Sequence, residues 1–179
     1  MLSDKTLLDI YMLKDVIRYN CRKHLKDESV AEHSFYVALM SLMICEEHHI
    51  TNDAVIKDVM IKAILHDMPE IDLNDITHNV KEKLHLNEFL KKYEDEYYAE
   101  KFPAYADLMA NNDDNIVNRI VLYADALSVK QFCLNEMALG NKSHDIVDEI
   151  YKNACERCEM HEKKLIECIN KQTIYKHFD

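Results

Sequence analysis

Apolar residues recur three and four positions apart along most of the chain, the spacing that lines one face of an α-helix. Leu7, Ile10, Leu13 and Ile17 predict a first helix over residues 3–19. A polar stretch at 20–27 separates it from a second helix, which starts with the capping-box spacing Ser29-Val30-Ala31-Glu32. That helix runs through Val37, Met40 and Ile44 to about His48. A third is expected from Asn52 through Val55, Val59 and Ala63 to His66-Asp67, where Pro69 favours a helix end. Residues 67–79 hold acids and turn formers and predict an irregular loop with a short helical piece. Residues 81–101 read as a solvated helix, and a short one follows Pro103. Asp114 or Asn115 is expected to cap a long helix through Ile116, Ile120, Ala124 and Leu127 that stops at Gly140. A last helix covers 143–174.

One glycine and two prolines in 179 residues sharpen this all-α reading. Tight hairpins and Gly-rich phosphate loops need glycine where φ is positive, so with Gly140 alone both a P-loop and a GxGxxG turn are excluded. No linker, repeat or low-complexity tract interrupts the chain, and residues 1–179 read as one domain. The net charge of −11 disfavours a nucleic-acid polymer as partner, because binding one depends on Lys and Arg neutralising phosphates. No apolar run approaches the roughly 20 residues of a membrane span. Met1-Leu2-Ser3-Asp4-Lys5 lacks the build of a signal peptide, so a cytoplasmic chain with free thiols is expected. Cys155, Cys158 and His161 put three soft ligands along one helix, but no second Cys pair completes a zinc set.

Polar residues on apolar stripes are the candidates for chemistry. Asp125 lies between Val121 and Val129, with Val117 and Phe132 continuing the face. A buried carboxylate needs a cation, donors or solvent, and an ordinary ion pair satisfies that need as well as a metal does. His33 sits among Val30, Val37 and Met40, where a hydrogen-bonded core histidine is the plainer reading. His66-Asp67 is not unusual as a dipeptide, since His144-Asp145 repeats it, but only the first ends an apolar helix and is followed by Glu70 and Asp75. In order, His33, His66-Asp67 and Asp125 supply two imidazoles and two carboxylates from three helices, a set that suits a divalent Mn, Fe, Co, Ni or Zn ion.

This ordered set resembles the HD-domain metal-dependent phosphohydrolases, and specifically the YfbR-type 5'-deoxynucleotidases. Arg18-Tyr19 is similar to that family's Arg-Trp pair, and Glu28 to Ser34 to its entry into the second helix. His66-Asp67-Met68-Pro69-Glu70, Asn74-Asp75 and Val80-Lys81 resemble its HDxxE, GD and PVK stretch. Asn135 to Asn141 resembles its ELAxGN segment. Tyr19 in place of tryptophan, Asn74 in place of glycine and Thr77-His78-Asn79 in place of a proline-containing turn all depart from the pattern around the substrate pocket.

The resemblance implies an all-α HD-domain helical bundle with a metal between helices, held by His33, His66, Asp67 and Asp125. It implies Glu70 as general base, Asp75 as proton donor or sugar contact, and Arg18, Tyr19, Ser34, Asp75 and Lys81 at the substrate. The expected reaction removes the 5'-phosphate from 2'-deoxyribonucleoside monophosphates, and a homodimer or higher homo-oligomer is expected. A compact HD-domain dNTP triphosphohydrolase, like the phage dATPases, keeps the same ligands and releases triphosphate instead. A non-catalytic helical nucleotide-binding protein has no need of Glu70.

Overall fold

A computed structural model describes residues 4–74, 76, 78–110 and 114–175. Among them the regular elements are helices: α1 (Asp4–Met12), α2 (Val30–Glu47), α3 (Asp53–Leu65), α4 (Glu70–Leu73), α5 (His78–Lys83), α6 (Asn87–Lys101), α7 (Ala106–Ala110), α8 (Ile116–Ala138) and α9 (Tyr151–Tyr175). A π-helical stretch, Asp145–Ile150, leads directly into α9. None is long and apolar enough to cross a membrane.

The caps read from the sequence are made. Ser29 and Glu32 close both halves of the capping box at α2. The Asn52 side chain accepts from the amides of Ala54 and Val55 at 3.0 and 3.2 Å. Asn115, not Asp114, caps α8 by accepting from Asn118 N at 2.9 Å. Such a cap contributes about 1 kcal/mol. Gly140, at φ +97, stops the chain just past α8, a backbone conformation that L side chains rarely adopt.

The first helix is shorter than its stripe suggests. It ends at Met12, and Leu7 and Ile10 are exposed, whereas Leu13 and Val16 are buried. The chain leaves the helix because its backbone pairs with the entry to α2. Val30 N donates to Val16 O and Arg18 N to Glu28 O, each at 2.9 Å. This pairing, an isolated bridge between Ile17 and Ser29, brings Arg18 beside the first turn of α2. The solvated helix expected over 81–101 is likewise two helices, α5 and α6, and α6 buries Leu90, Tyr97 and Tyr98.

Helix α8 is the centre of the bundle and packs against α2, α3 and α9. Val37, Val59, Ala63, Ile120, Ala124 and Leu165 join in one core, all fully buried. A second cluster, with Leu13, Val16, Val30, Met68, Tyr97 and Tyr98, fixes the end of α3 against α2 and α6. The metal-ligand candidates lie between these two clusters.

Candidate active site

His33 is in the first two turns of α2, His66 and Asp67 just past the end of α3, and Asp125 midway along α8. The fold brings them together. His33 Nε2 lies 3.4 Å from Asp67 Oδ2 and 3.3 Å from Asp125 Oδ1. His66 Nε2 lies 3.2 Å from Asp67 Oδ2 and 3.3 Å from His33 Nε2. Ligand atoms of His33, His66 and Asp125 all fall within 4.8 Å of one another.

The electrostatics match a cation site. Burial and the neighbouring Arg18 push His33 down to about 4, so its imidazole is neutral. Burial alone would raise the carboxyls of Asp67 and Asp125, but His66 beside the first and His33 beside the second hold both below the usual range. Burial opposes charge on His66 as well, yet Asp67 pushes it up to about 9. Asp67 and Asp125 are therefore ionised and His33 is uncharged, the states in which these side chains ligate a metal. Two imidazole nitrogens and two ionised carboxylates fit a divalent first-row ion.

Several side chains that sequence reasoning missed hold this set in place. Tyr98 Oη, on α6, lies 2.8 Å from the carbonyls of both Leu65 and His66, so its hydroxyl anchors the turn carrying His66-Asp67. Ala63 O is 2.9 Å from His66 Nδ1, which leaves Nε2 facing the cluster. His33 Nδ1 has Ser128 Oγ at 3.1 Å and Arg18 Nη1 at 2.7 Å. Arg18 Nη1 also donates to Glu28 Oε1 at 2.8 Å. Arg157, from α9, donates to Asp125 Oδ2 at 2.7 Å. Arg18 and Glu28 belong to motifs read from the sequence; of Tyr98, Ser128 and Arg157, which do not, only Ser128 carried a signal, as a polar residue three positions after Asp125 on the same apolar face.

The cluster opens onto a cavity of about 710 Å³, within the usual range for a small-molecule site. Arg18, Arg22, Lys81 and Arg157 supply cations to its lining, and Asp67, Glu70, Asp125 and Glu149 supply carboxylates. Glu70 opens α4, immediately after Pro69, and also lines a smaller adjoining pocket with Lys81 and Glu94. Tyr19 stacks on Phe132, with ring centroids 4.7 Å apart, and forms part of the same cavity. Ser34 is buried on α2 and does not line either space. Asp75 lies outside the described residues.

The second His-Asp pair has a plain setting. His144 is exposed, and it clusters with Asp145 and Glu149 on the surface. Cys158 and His161 turn into the α9 interface, and with Cys155 they form no such cluster among the described residues.

A helical bundle that converges two histidines and two aspartates in this order is an HD-domain phosphohydrolase. A family model described as "5'-deoxynucleotidase YfbR-like" matches residues 7–172, and the chain belongs to that family. Its activity is that of a phosphohydrolase of the 5'-deoxynucleotidase kind. Solved structures with the same fold include an HD-domain phosphohydrolase from Listeria innocua, at 21% identity and TM-score 0.73, covering 96% of this chain and 87% of that one. A conserved hypothetical protein from Pyrococcus furiosus aligns at 23% identity and TM-score 0.72, over 94% of this chain and 98% of that one. The cyanophage S-2L HD phosphohydrolase DatZ, bound to dA and one catalytic Zn2+ ion, aligns at 15% identity and TM-score 0.69, over 98% and 96%. No curated protein matches the chain.

Proposed function

We propose that this protein removes the 5'-phosphate from 2'-deoxyribonucleoside monophosphates, with a divalent ion held by His33, His66, Asp67 and Asp125. The observation that carries the reading is the convergence of these four side chains beside a cavity that Asp67 and Asp125 share with Arg18, Lys81 and Arg157. When bound there, a divalent ion supplies Lewis-acid stabilisation of phosphoryl charge and acidifies water. Glu70, lining the same cavity, takes the proton from the attacking water. Arg18 presents a planar fork to the phosphate, with Glu28 fixing one of its nitrogens, and Lys81 adds a second charge. Tyr19 packs beside the deoxyribose, and Asp75 serves the leaving oxygen or the sugar.

The metal is one of Co, Mn, Zn, Fe or Ni. Zinc is supported by DatZ, whose structure holds one catalytic Zn2+ ion. A homodimer in the cytoplasm completes the reading. Phe35, Leu39 and Met43 form an exposed apolar stripe on α2 that a second copy would cover, and sedimentation reads this directly. The reaction is tested with metal-reconstituted protein, offered dNMPs, NMPs and dNTPs, and with products resolved by chromatography. Inorganic phosphate from dNMPs supports the reading. Triphosphate from dNTPs assigns the triphosphohydrolase reaction instead, and no product assigns a binding role.

A further inference from the structure

The motifs that identify this fold end at α8, yet one wall of the cavity is α9. The two helices run antiparallel, and their pairings fix the register. Asp125 meets Arg157 through a 2.7 Å hydrogen bond. Phe132, two turns further along α8, belongs to a cluster against which Ile150, the last residue of the π-helical stretch before α9, packs. Val129 on α8 is therefore level with Asn153 on α9, and both line the cavity. At 1.5 Å of rise per residue, Asn153 lies about 6 Å from Arg157 along the axis, and Ile150 about 10 Å. The wall leads away from Arg157 with a cation first, an amide next and then the apolar Ile150, beside which Glu149 lies 3.5 Å from Arg22.

That order matches the order of groups in a nucleotide. Arg157 has one N–H committed to Asp125, and the rest of its five-donor fork belongs to a side chain still 37% exposed. Asn153 is exposed and carries both a donor and an acceptor, the combination that distinguishes one base edge from another. Val129 and Ile150 flank it with apolar surface suited to a flat ring. Resting on the phosphohydrolase reading above, we propose that α9 reads the substrate: Arg157 binds its phosphate, and Asn153 is a specificity-determining residue that hydrogen-bonds its nucleoside.

Calorimetric titration of the metal-loaded protein separates the two roles, using inorganic phosphate and the four 2'-deoxynucleosides as separate probes. Arg157→Ala should weaken inorganic phosphate about ten- to a hundredfold, the cost of a lost charged hydrogen bond, and leave the deoxynucleosides where they were. Arg157→Lys, which keeps the charge, should recover part of that loss. Asn153→Ala should weaken the preferred deoxynucleoside about three- to tenfold, compress the spread among the four bases and leave phosphate binding in place. Circular dichroism confirms that each variant is folded. Loss of phosphate and nucleoside together in Arg157→Ala, or an equal effect of Asn153→Ala on all four bases, overturns the assignment. These titrations need no turnover. If the wild-type protein releases no phosphate from dNMPs, the reaction is wrong. If it does release phosphate and the titrations fail to separate, only the role of α9 falls.

Discussion

Ser128 Oγ lies 3.1 Å from His33 Nδ1, one turn along α8 from Asp125. Arg18 Nη1, which can only donate, lies 2.7 Å from the same nitrogen, so Nδ1 accepts there in this structure. When Nε2 ligates, it must give up its proton, and a proton taken up on Nδ1 has the buried serine oxygen as its acceptor once the arginine turns away. One helix thus supplies both a ligand and the partner that orients another. Ser128→Ala should weaken metal binding about 10–100-fold, the usual cost of removing such a partner. Competition against a chromogenic chelator reads this directly, and an unchanged affinity would show that Arg18, not Ser128, sets the His33 ring.

Asp125 faces the ligand cluster through Oδ1 and Arg157 through Oδ2. Asp125→Ala should abolish metal binding and hydrolysis together, while the helical circular dichroism survives because Val117, Val121 and Ala124 still pack the helix. Full activity without bound metal would end the metal-dependent reading.

Glu70 lines the cavity beside Asp67 and Asp125 without being one of the four proposed ligands, so its removal separates base from ligand. Glu70→Ala should keep metal and dNMP affinity and lower kcat about 10²–10⁴-fold. Weakened metal with normal turnover would move Glu70 into the coordination shell.

How much of this was legible in sequence depends on where each partner lies along the chain. The helix starts at Ser29, at Asn52 and at Asp114-Asn115 are local patterns, and all three were readable, though not which of the last pair makes the cap. The candidate ligands stood out singly, as a histidine or aspartate on an apolar stripe does, but each alone read as an ordinary core or ion-paired residue. Only their order, which resembles the HD-domain pattern, joined them into a set. The end of α1 was not legible, since Leu7 and Ile10 keep helical spacing and only the pairing of Val16 with Val30 draws the chain away. Tyr98 and Arg157 were invisible for another reason. Each sits on a helix rich in charge, and each finds its partner about 32 residues away in the chain. Nothing local distinguishes them from a solvated face.

Glu136 illustrates a motif residue whose chemistry only the fold reveals. Its buried carboxylate accepts from Leu25 N at 2.7 Å, Lys26 N at 2.9 Å and Asn141 Nδ2 at 2.7 Å, tying the loop before α2 to the end of α8. Burial opposes its charge, but the Asn141 amide and the two backbone N–H groups hold its pKa below the usual glutamate value. A depressed folded-state pKa stabilises above the unfolded value and ceases to do so as pH falls through the folded one. Leaving those donors unpaired costs about 1–3 kcal/mol, so Glu136→Ala should lower Tm by several degrees at neutral pH. The gap to wild type should narrow on acidification below the ordinary glutamate range, and a gap independent of pH would contradict this account.

Tyr19 bears on which sugar the site accepts. Its backbone holds φ +57, uncommon for a bulky residue, and its ring lies nearly parallel to Phe132 at 20°. Phe132 therefore supports the ring from one side, and the Arg18 guanidinium stands 5.1 Å from its centroid. A ring fixed this way at the cavity wall can resist a 2'-hydroxyl by steric contact alone. Such a contact is worth only about 1–3 kcal/mol, which implies a preference for deoxy substrates and not their exclusive use. Tyr19→Ala should narrow the ratio of kcat/KM between dAMP and AMP, because it empties the space beside the sugar. Tyr19→Trp should widen that ratio by extending the stacked surface. If neither substitution moves it, Tyr19 does not face the sugar, and discrimination must come from the opposite wall of the cavity.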